Sequence, residues 1–105
     1  MKQLIDYPTD RMSSLQGYLG KRVTPKQIIE RFGPGIKTLC DKTNYEWIFE
    51  VDGKHWTVYD YKTSIGEDTP YDWHIGGEYT DGLGAFIVRF LEEIGAYQKV
   101  GIRDE

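Results

Sequence analysis

The densest run of chemistry-bearing residues is Tyr71-Asp72-Trp73-His74-Ile75-Gly76-Gly77. In a strand, Trp73 and His74 would point to opposite faces. Gly76 and Gly77 would then let a ligand approach the backbone near a helix N-terminus, a position that favours anions. The same two glycines serve equally well as a tight turn from strand to helix, with Trp73 filling the core. The only other histidine is His55. A metal site would need both histidines plus carboxylates such as Asp60 or Asp72, and nothing in the spacing calls for one. Cys40 is the sole cysteine. With His74 as base it would make a nucleophile pair, but a lone cysteine more often acts as a small buried apolar residue. Phosphate-loop, dinucleotide-binding, zinc-protease and nucleophile-elbow signatures are missing. No enzymatic activity, cofactor or metal is therefore expected.

Composition narrows the partners. The chain has 105 residues, a length that suits one domain. Thirteen Lys+Arg against seventeen Asp+Glu give a net charge of −4. Basic residues are scattered apart from Lys21-Arg22 with Lys26 and Arg31 with Lys37, so the basic footprint of a nucleic-acid binder is missing. The mean hydropathy of −0.57 and the lack of a long apolar run argue against a membrane span. MKQLIDYPTDRM lacks the apolar centre of a secretory signal, and a cytoplasmic location is expected. Aromatic residues reach 14%, with eight Tyr and three Trp. Large rings can build the core of a small domain, and any left exposed make a binding face.

The elements that must position these residues can be read in turn. Residues 1–13 read as a loosely held arm. Ser14 to Leu19 fits either a strand or one helical turn. Thr24 is placed as an N-cap, with Pro25 at the first helical position and Gln27 completing a capping box. Ile28, Ile29 and Phe32 form that helix's buried stripe, and Gly33-Pro34 ends it. Tyr45 to Val51 alternates as a strand, Asp52-Gly53 is a type I′ turn pair, and Lys54 to Tyr61 returns. The turn sets the register: Val51 opposite Lys54, Glu50 opposite His55, Phe49 opposite Trp56, Trp47 opposite Val58. Tyr71 to Ile75 makes a third strand, closed by Gly76-Gly77. Leu83, Phe86, Ile87, Phe90, Leu91 and Ile94 form an amphipathic helix, capped by Thr80 or Asp81 and stopped by Gly95. The expected fold is α+β: a small antiparallel meander of three to four strands with two helices on one face. Residues 14–95 form its core and 96–105 a tail.

This register puts Tyr45, Trp47, Phe49, Val51, Trp56 and Val58 on the core face. Glu46, Ile48, Glu50, His55, Thr57, Tyr59 and Tyr61 fall on the other, which is expected to be wet. Aromatics beside charges on a face with no need of them resemble a protein-binding patch. The candidate binding residues are Tyr59, Tyr61, Lys62, Glu67, Asp68, Asp72, His74, Gly76 and Gly77. Glu50, Glu67, Asp68 and Asp72 would give the patch an acidic rim for steering a basic partner. Coverage of this face by the N-terminal arm, or by a second copy in a homodimer, is the competing expectation.

Four features carry a family resemblance: Trp47, Asp52-Gly53, Asp60-Tyr61-Lys62 and Trp73-His74-Ile75-Gly76-Gly77. With the flanking residues, roughly 14–95, the chain resembles a class of small phage-encoded accessory proteins. These combine an E-W-x-F-x-x-D-G hairpin with a W-[HN]-I-G-G motif. The resemblance implies a phage origin and a strand at Ser14 to Leu19, and it carries no catalytic residue. Small size, acidity, surplus aromatics and the missing catalytic motifs make the expected function inhibition, by binding, of a bacterial defence or host protein, in the manner of an anti-CRISPR. A basic nucleic-acid-handling enzyme would suit the acidic rim, with no direct nucleic-acid contact. The alternative is a module that sequesters a signalling nucleotide, with Tyr59, Tyr61, His74 and Gly76-Gly77 around the base and Lys54 or Lys62 on the phosphate.

Overall fold

The computed structural model describes residues 1–6, 13–36 and 42–97. Along the chain come β1 (Lys2–Leu4), β2 (Ser14–Tyr18), α1 (Pro25–Phe32), β3 (Glu46–Val51), β4 (Lys54–Tyr59), β5 (His74–Gly77) and α2 (Leu83–Glu93). Asp52 at φ 51° and Gly53 at φ 79° form the left-handed pair that a type I′ turn requires. The turn holds β3 and β4 in the expected register, Val51 opposite Lys54 through Trp47 opposite Val58. The sheet is antiparallel with order β1-β3-β4-β5-β2. The class is α+β, as expected, but with five strands.

The extra strand corrects the reading of the N-terminus. Lys2, Gln3 and Leu4 pair with Glu50, Phe49 and Ile48. A loosely held arm is thus ruled out at residues 2–4, which close one edge of the sheet. Only β3-β4-β5 is a meander. β1 and β2, consecutive in sequence, stand at opposite edges. Ser14–Tyr18 is a strand, with a bulge between Leu15 and Gly17. The last strand lies further along than its alternation suggested. Tyr71 makes an isolated bridge with Val23, and the strand proper runs through both glycines. Gly76-Gly77 is therefore not a strand-ending turn.

Helix α1 forms as its caps dictate. The Thr24 side chain accepts from Gln27 N, Gln27 reaches back to Thr24 N, and Gly33 takes φ 84° at the end. Helix α2 starts differently from expectation. Gly82, in the left-handed region, is its N-cap and no side chain caps it. Thr80 and Asp81 are engaged elsewhere: the Thr80 hydroxyl donates to Gln16 Oε1 at 2.7 Å, and Lys54 Nζ donates to Asp81 at 3.1 Å. At its other end, Gly95 N bonds Glu92 O and Ala96 N bonds Leu91 O, the Schellman pattern that suits glycine.

Both helices lay their apolar stripes on the expected face. Ile28, Phe86, Phe90 and Leu91 pack with Trp47, Phe49, Trp56, Val58, Trp73 and Ile75. Trp47 and Trp73 meet edge to face at 5.5 Å. Each indole N–H is satisfied, Trp47 by Gly33 O and Trp73 by Val23 O, both at 2.9 Å. This lets two large amphipathic rings sit in the core without an unpaired donor.

The opposite face is not wet at its centre. Ile48, His55 and Thr57 are buried along with Glu46. The extra strands explain part of this. Leu4, Ile48, Thr57, Gly76 and Leu15 line up across all five strands, so the central side chains have neighbours on both flanks. His55 is opposite Glu50 as expected, but it is no surface residue. Its Nδ1 stands 3.2 Å from Glu78 Oε1, at ion-pair distance without hydrogen-bond geometry.

Two substitutions test this architecture. Trp47→Ala removes a fully buried ring and should lower stability by about 3–5 kcal/mol in a denaturant titration; an unchanged midpoint would contradict the assigned core. Gly53→Val places a β-branched residue at φ 79° and should lower the midpoint clearly beyond the ~0.5 kcal/mol of an ordinary surface change.

Candidate functional site

One cross-strand row carries Glu46 on β3, Tyr59 on β4, His74 on β5 and Tyr18 on β2. The hairpin turn fixes the Glu46–Tyr59 step, and the bulge in β2 brings Tyr18 into line with His74. The His74 ring lies 4.8 Å from Tyr18, 5.2 Å from Tyr59 and 5.9 Å from Tyr61. Tyr71 stacks on it at 6.1 Å with an interplanar angle of 18°. The Tyr71 hydroxyl stands 3.2 Å from His74 Nδ1 and accepts the N–H of Tyr61 at 3.3 Å. Four tyrosines thus surround one imidazole. Tyr59, Tyr71 and His74 are half-buried, whereas Tyr18 and Tyr61 are 49% and 40% exposed.

Asp60 holds the loop that presents this cluster. It is fully buried, and its carboxylate accepts from Asn44 N at 2.8 Å, Tyr45 N at 2.9 Å and the Thr63 hydroxyl. The following residues are thereby fixed. Lys62 adopts φ 55°, unusual for a side chain of its kind, while its N–H bonds Lys42 O at 2.6 Å. Its ammonium lies 5.4 Å from the Tyr61 ring centre, within cation–π range.

Burial pushes the ionisable groups of this row in opposite directions. The Glu46 carboxyl is raised to about 7, first by desolvation and then by the Asp60 charge. Desolvation also raises Tyr59, with Glu46 adding to it, and raises Tyr71. His74 is lowered by desolvation, against the opposing pull of Asp60 and Asp72. Burial therefore favours the neutral imidazole. Such a concentration of shifted groups around an accessible ring cluster marks a candidate site.

Of the residues singled out in sequence, Tyr59, Tyr61, Lys62 and His74 come together here. The others do other work. Asp72 Oδ1 accepts from Gly20 N at 2.8 Å and so pins the turn after β2. Glu67 and Asp68 are exposed on the loop before Tyr71; Glu67 O accepts from Lys26 N, and the Glu67 charge acts on Tyr45. They do not rim the His74 ring. Gly76 and Gly77 are buried inside the sheet. A Cβ on Gly76 would fall 2.5 Å from Thr57 Oγ1, and one on Gly77 2.9 Å from Trp56 Cε3. They serve close packing and leave no room for a ligand to reach the backbone. Lys54 bonds Asp81 beside α2 and is no part of the cluster. Cys40 lies outside the described residues.

Sequence reasoning missed four members. Tyr18 is hidden because Ser14 to Leu19 fits two structures, and Tyr71 because alternation along Tyr71 to Ile75 puts it on the same side as Trp73, opposite His74. Glu46 is legible in sequence only as a second-face strand position, and Asp60 only as a possible metal carboxylate and as part of the Asp60-Tyr61-Lys62 motif. Among the described residues no group of three or more His, Cys, Asp or Glu is arranged to hold a metal, and no helix is long and apolar enough to cross a membrane. No protein-family model, curated protein or solved structure matches this chain.

Glu46 yields a pH prediction. Its folded-state pKa of about 7 lies above the ordinary 4.5. The folded protein therefore holds a proton that the unfolded chain releases, and stability falls as pH rises through that window. Glu46→Gln should flatten the decline. Its gain over wild type should be about 1–3 kcal/mol larger at pH 8 than at pH 5, at about 1.4 kcal/mol per pKa unit, read from urea midpoints. Parallel pH curves for the two proteins would contradict the buried carboxyl.

Proposed function

We propose that the protein acts by binding another protein and that the tyrosine–histidine cluster is its contact surface. The observation that carries this reading is Tyr18 and Tyr61, two large rings left nearly half exposed beside a half-buried His74. Tyrosine supplies broad amphipathic contact area with few rotatable bonds, and contact energy concentrates on such rings. These two are not on a loose loop. Tyr18 belongs to a paired strand, and Tyr61 is held by the Tyr71 hydroxyl next to buried Asp60. A surface already ordered loses less entropy on binding.

The finer reading is a phage-type accessory protein that blocks a bacterial defence or host protein by occupying one of its surfaces. It is supported by the family resemblance of the hairpin and W-H-I-G-G segments and by the net charge of −4. Catalysis forms no part of it. The nucleotide-sequestering alternative keeps one supporting observation, Lys62 beside the Tyr61 ring. It has lost the glycine cradle and Lys54.

The deciding experiment is capture of partners from bacterial lysate by tagged wild type and by a Tyr18→Ser, Tyr61→Ser variant. The variant should keep its thermal midpoint and lose its partner by about tenfold or more, the scale of one energetically dominant contact residue. Undiminished capture by the folded variant would sink the contact-surface reading. A midpoint raised by a nucleotide, with no partner captured, would favour the alternative.

A further inference from the structure

The cluster presents ring faces and negative charge together. The charged groups that act on the His74 ring are Asp60 and Asp72, both acidic. Tyr71 feels the same two carboxylates, and Tyr59 feels Glu46. Burial disfavours the charged imidazole. One cation already uses this surface: the Lys62 ammonium lies 5.4 Å from the Tyr61 ring centre. An anionic ligand would meet the unfavourable field of Asp60 and Asp72 here. A cation meets aromatic faces and opposite charge at once.

We infer that the face formed by Tyr18, Tyr61 and His74 receives an arginine side chain of the partner, stacked against these rings and drawn by Asp60 and Asp72. Arginine fits better than lysine because a planar, weakly hydrated guanidinium stacks on rings while keeping its edge donors free, with buried Asp60 acting through its field alone. This rests on the contact-surface reading above and names the chemistry of the partner.

The test titrates isotope-labelled protein, by NMR, with a short arginine-rich peptide and with its twin carrying uncharged citrulline at each arginine. Expected are shifts centred on Tyr18, Tyr61 and His74 with the arginine peptide, and binding at least about fivefold weaker with the citrulline twin, the scale of two exposed cation–π contacts. Tyr18→Leu with Tyr61→Leu, which retains apolar bulk, should show a similar loss. Wild type gives a second readout that needs no variant. The groups facing His74 are Tyr18 from β2, Tyr59 from β4, and Tyr61, Tyr71, Asp60 and Asp72 from the flanking segments, with Glu46 one strand further. Acidification favours the imidazolium and should weaken the arginine peptide; His74→Gln should remove that part of the loss, leaving the part due to Glu46. Equal binding of the two peptides, shifts elsewhere, or no binding by either overturns the inference. If the peptide fails while the Tyr18→Ser, Tyr61→Ser variant still loses its lysate partner, only the arginine assignment falls. If the peptide binds as expected while lysate capture is undiminished, the contact-surface reading falls instead.

Discussion

A one-residue slip at Asp52-Gly53 would split the core face between the two sides of the sheet. Side chains alternate along β3 and β4, so with Trp47 and Phe49 still facing the helices the slip would carry Trp56 and Val58 off that face. His55, Thr57 and Tyr59 would take their places. The left-handed backbone at both turn residues excludes that slip, and the rest of the sheet inherits the result. β5 adds to β4, β1 to β3, and β2 to β5, each in a register tied to the hairpin. The row that ends in Tyr18 on β2 is thus set by a turn between two other strands, β3 and β4.

Three glycines let the layers close. Gly17 stands where a Cβ would meet Leu83 of α2 at 2.9 Å, Gly76 is filled by Thr57, and Gly77 by Trp56. Glycine in a strand is entropically unfavourable, and here each one admits a neighbouring side chain. Gly76 also follows His74 by two residues on the same face. A bulkier residue there would press on Tyr59, whose Cε1 lies 3.3 Å from the Cβ position. The packing of the sheet and the geometry of the tyrosine cluster are therefore coupled through one missing side chain.

What could be read from the chain was what local chemistry determines. The hairpin register, the capping box at Thr24, the left-handed Gly95 and the apolar stripe of α2 all follow from residues within one or two turns of each other. The edge strand at Lys2–Leu4 could not be read this way. It is three residues long with no periodicity, and its reason to exist is Glu50, Phe49 and Ile48, more than forty residues away. The same gap misplaced the surface. Alternation correctly assigned Ile48, His55 and Thr57 to the second face, but only the five-strand width shows that their centre is buried. For the cluster, Tyr59, Tyr61 and His74 were visible because they lie on or beside the hairpin's register. Tyr18 and Tyr71 come from segments whose placement depends on long-range pairing with β5 and Val23.

The cluster's character follows from desolvating a carboxyl and an imidazole in one row. Burial raises Glu46 and lowers His74, so both groups move toward their uncharged forms near neutrality. A face of tyrosine rings beside an imidazole that burial biases toward its neutral form costs less to desolvate than one of ionised groups. Its negative charge comes from Asp60 and Asp72, and both carboxylates already accept backbone N–H groups. Those hydrogen bonds fix the carboxylates in place, so their field reaches the rings without side-chain movement. Shape, charge and order at this end of the sheet are all present before any partner arrives, which is the condition under which a small interface gains most from each contact.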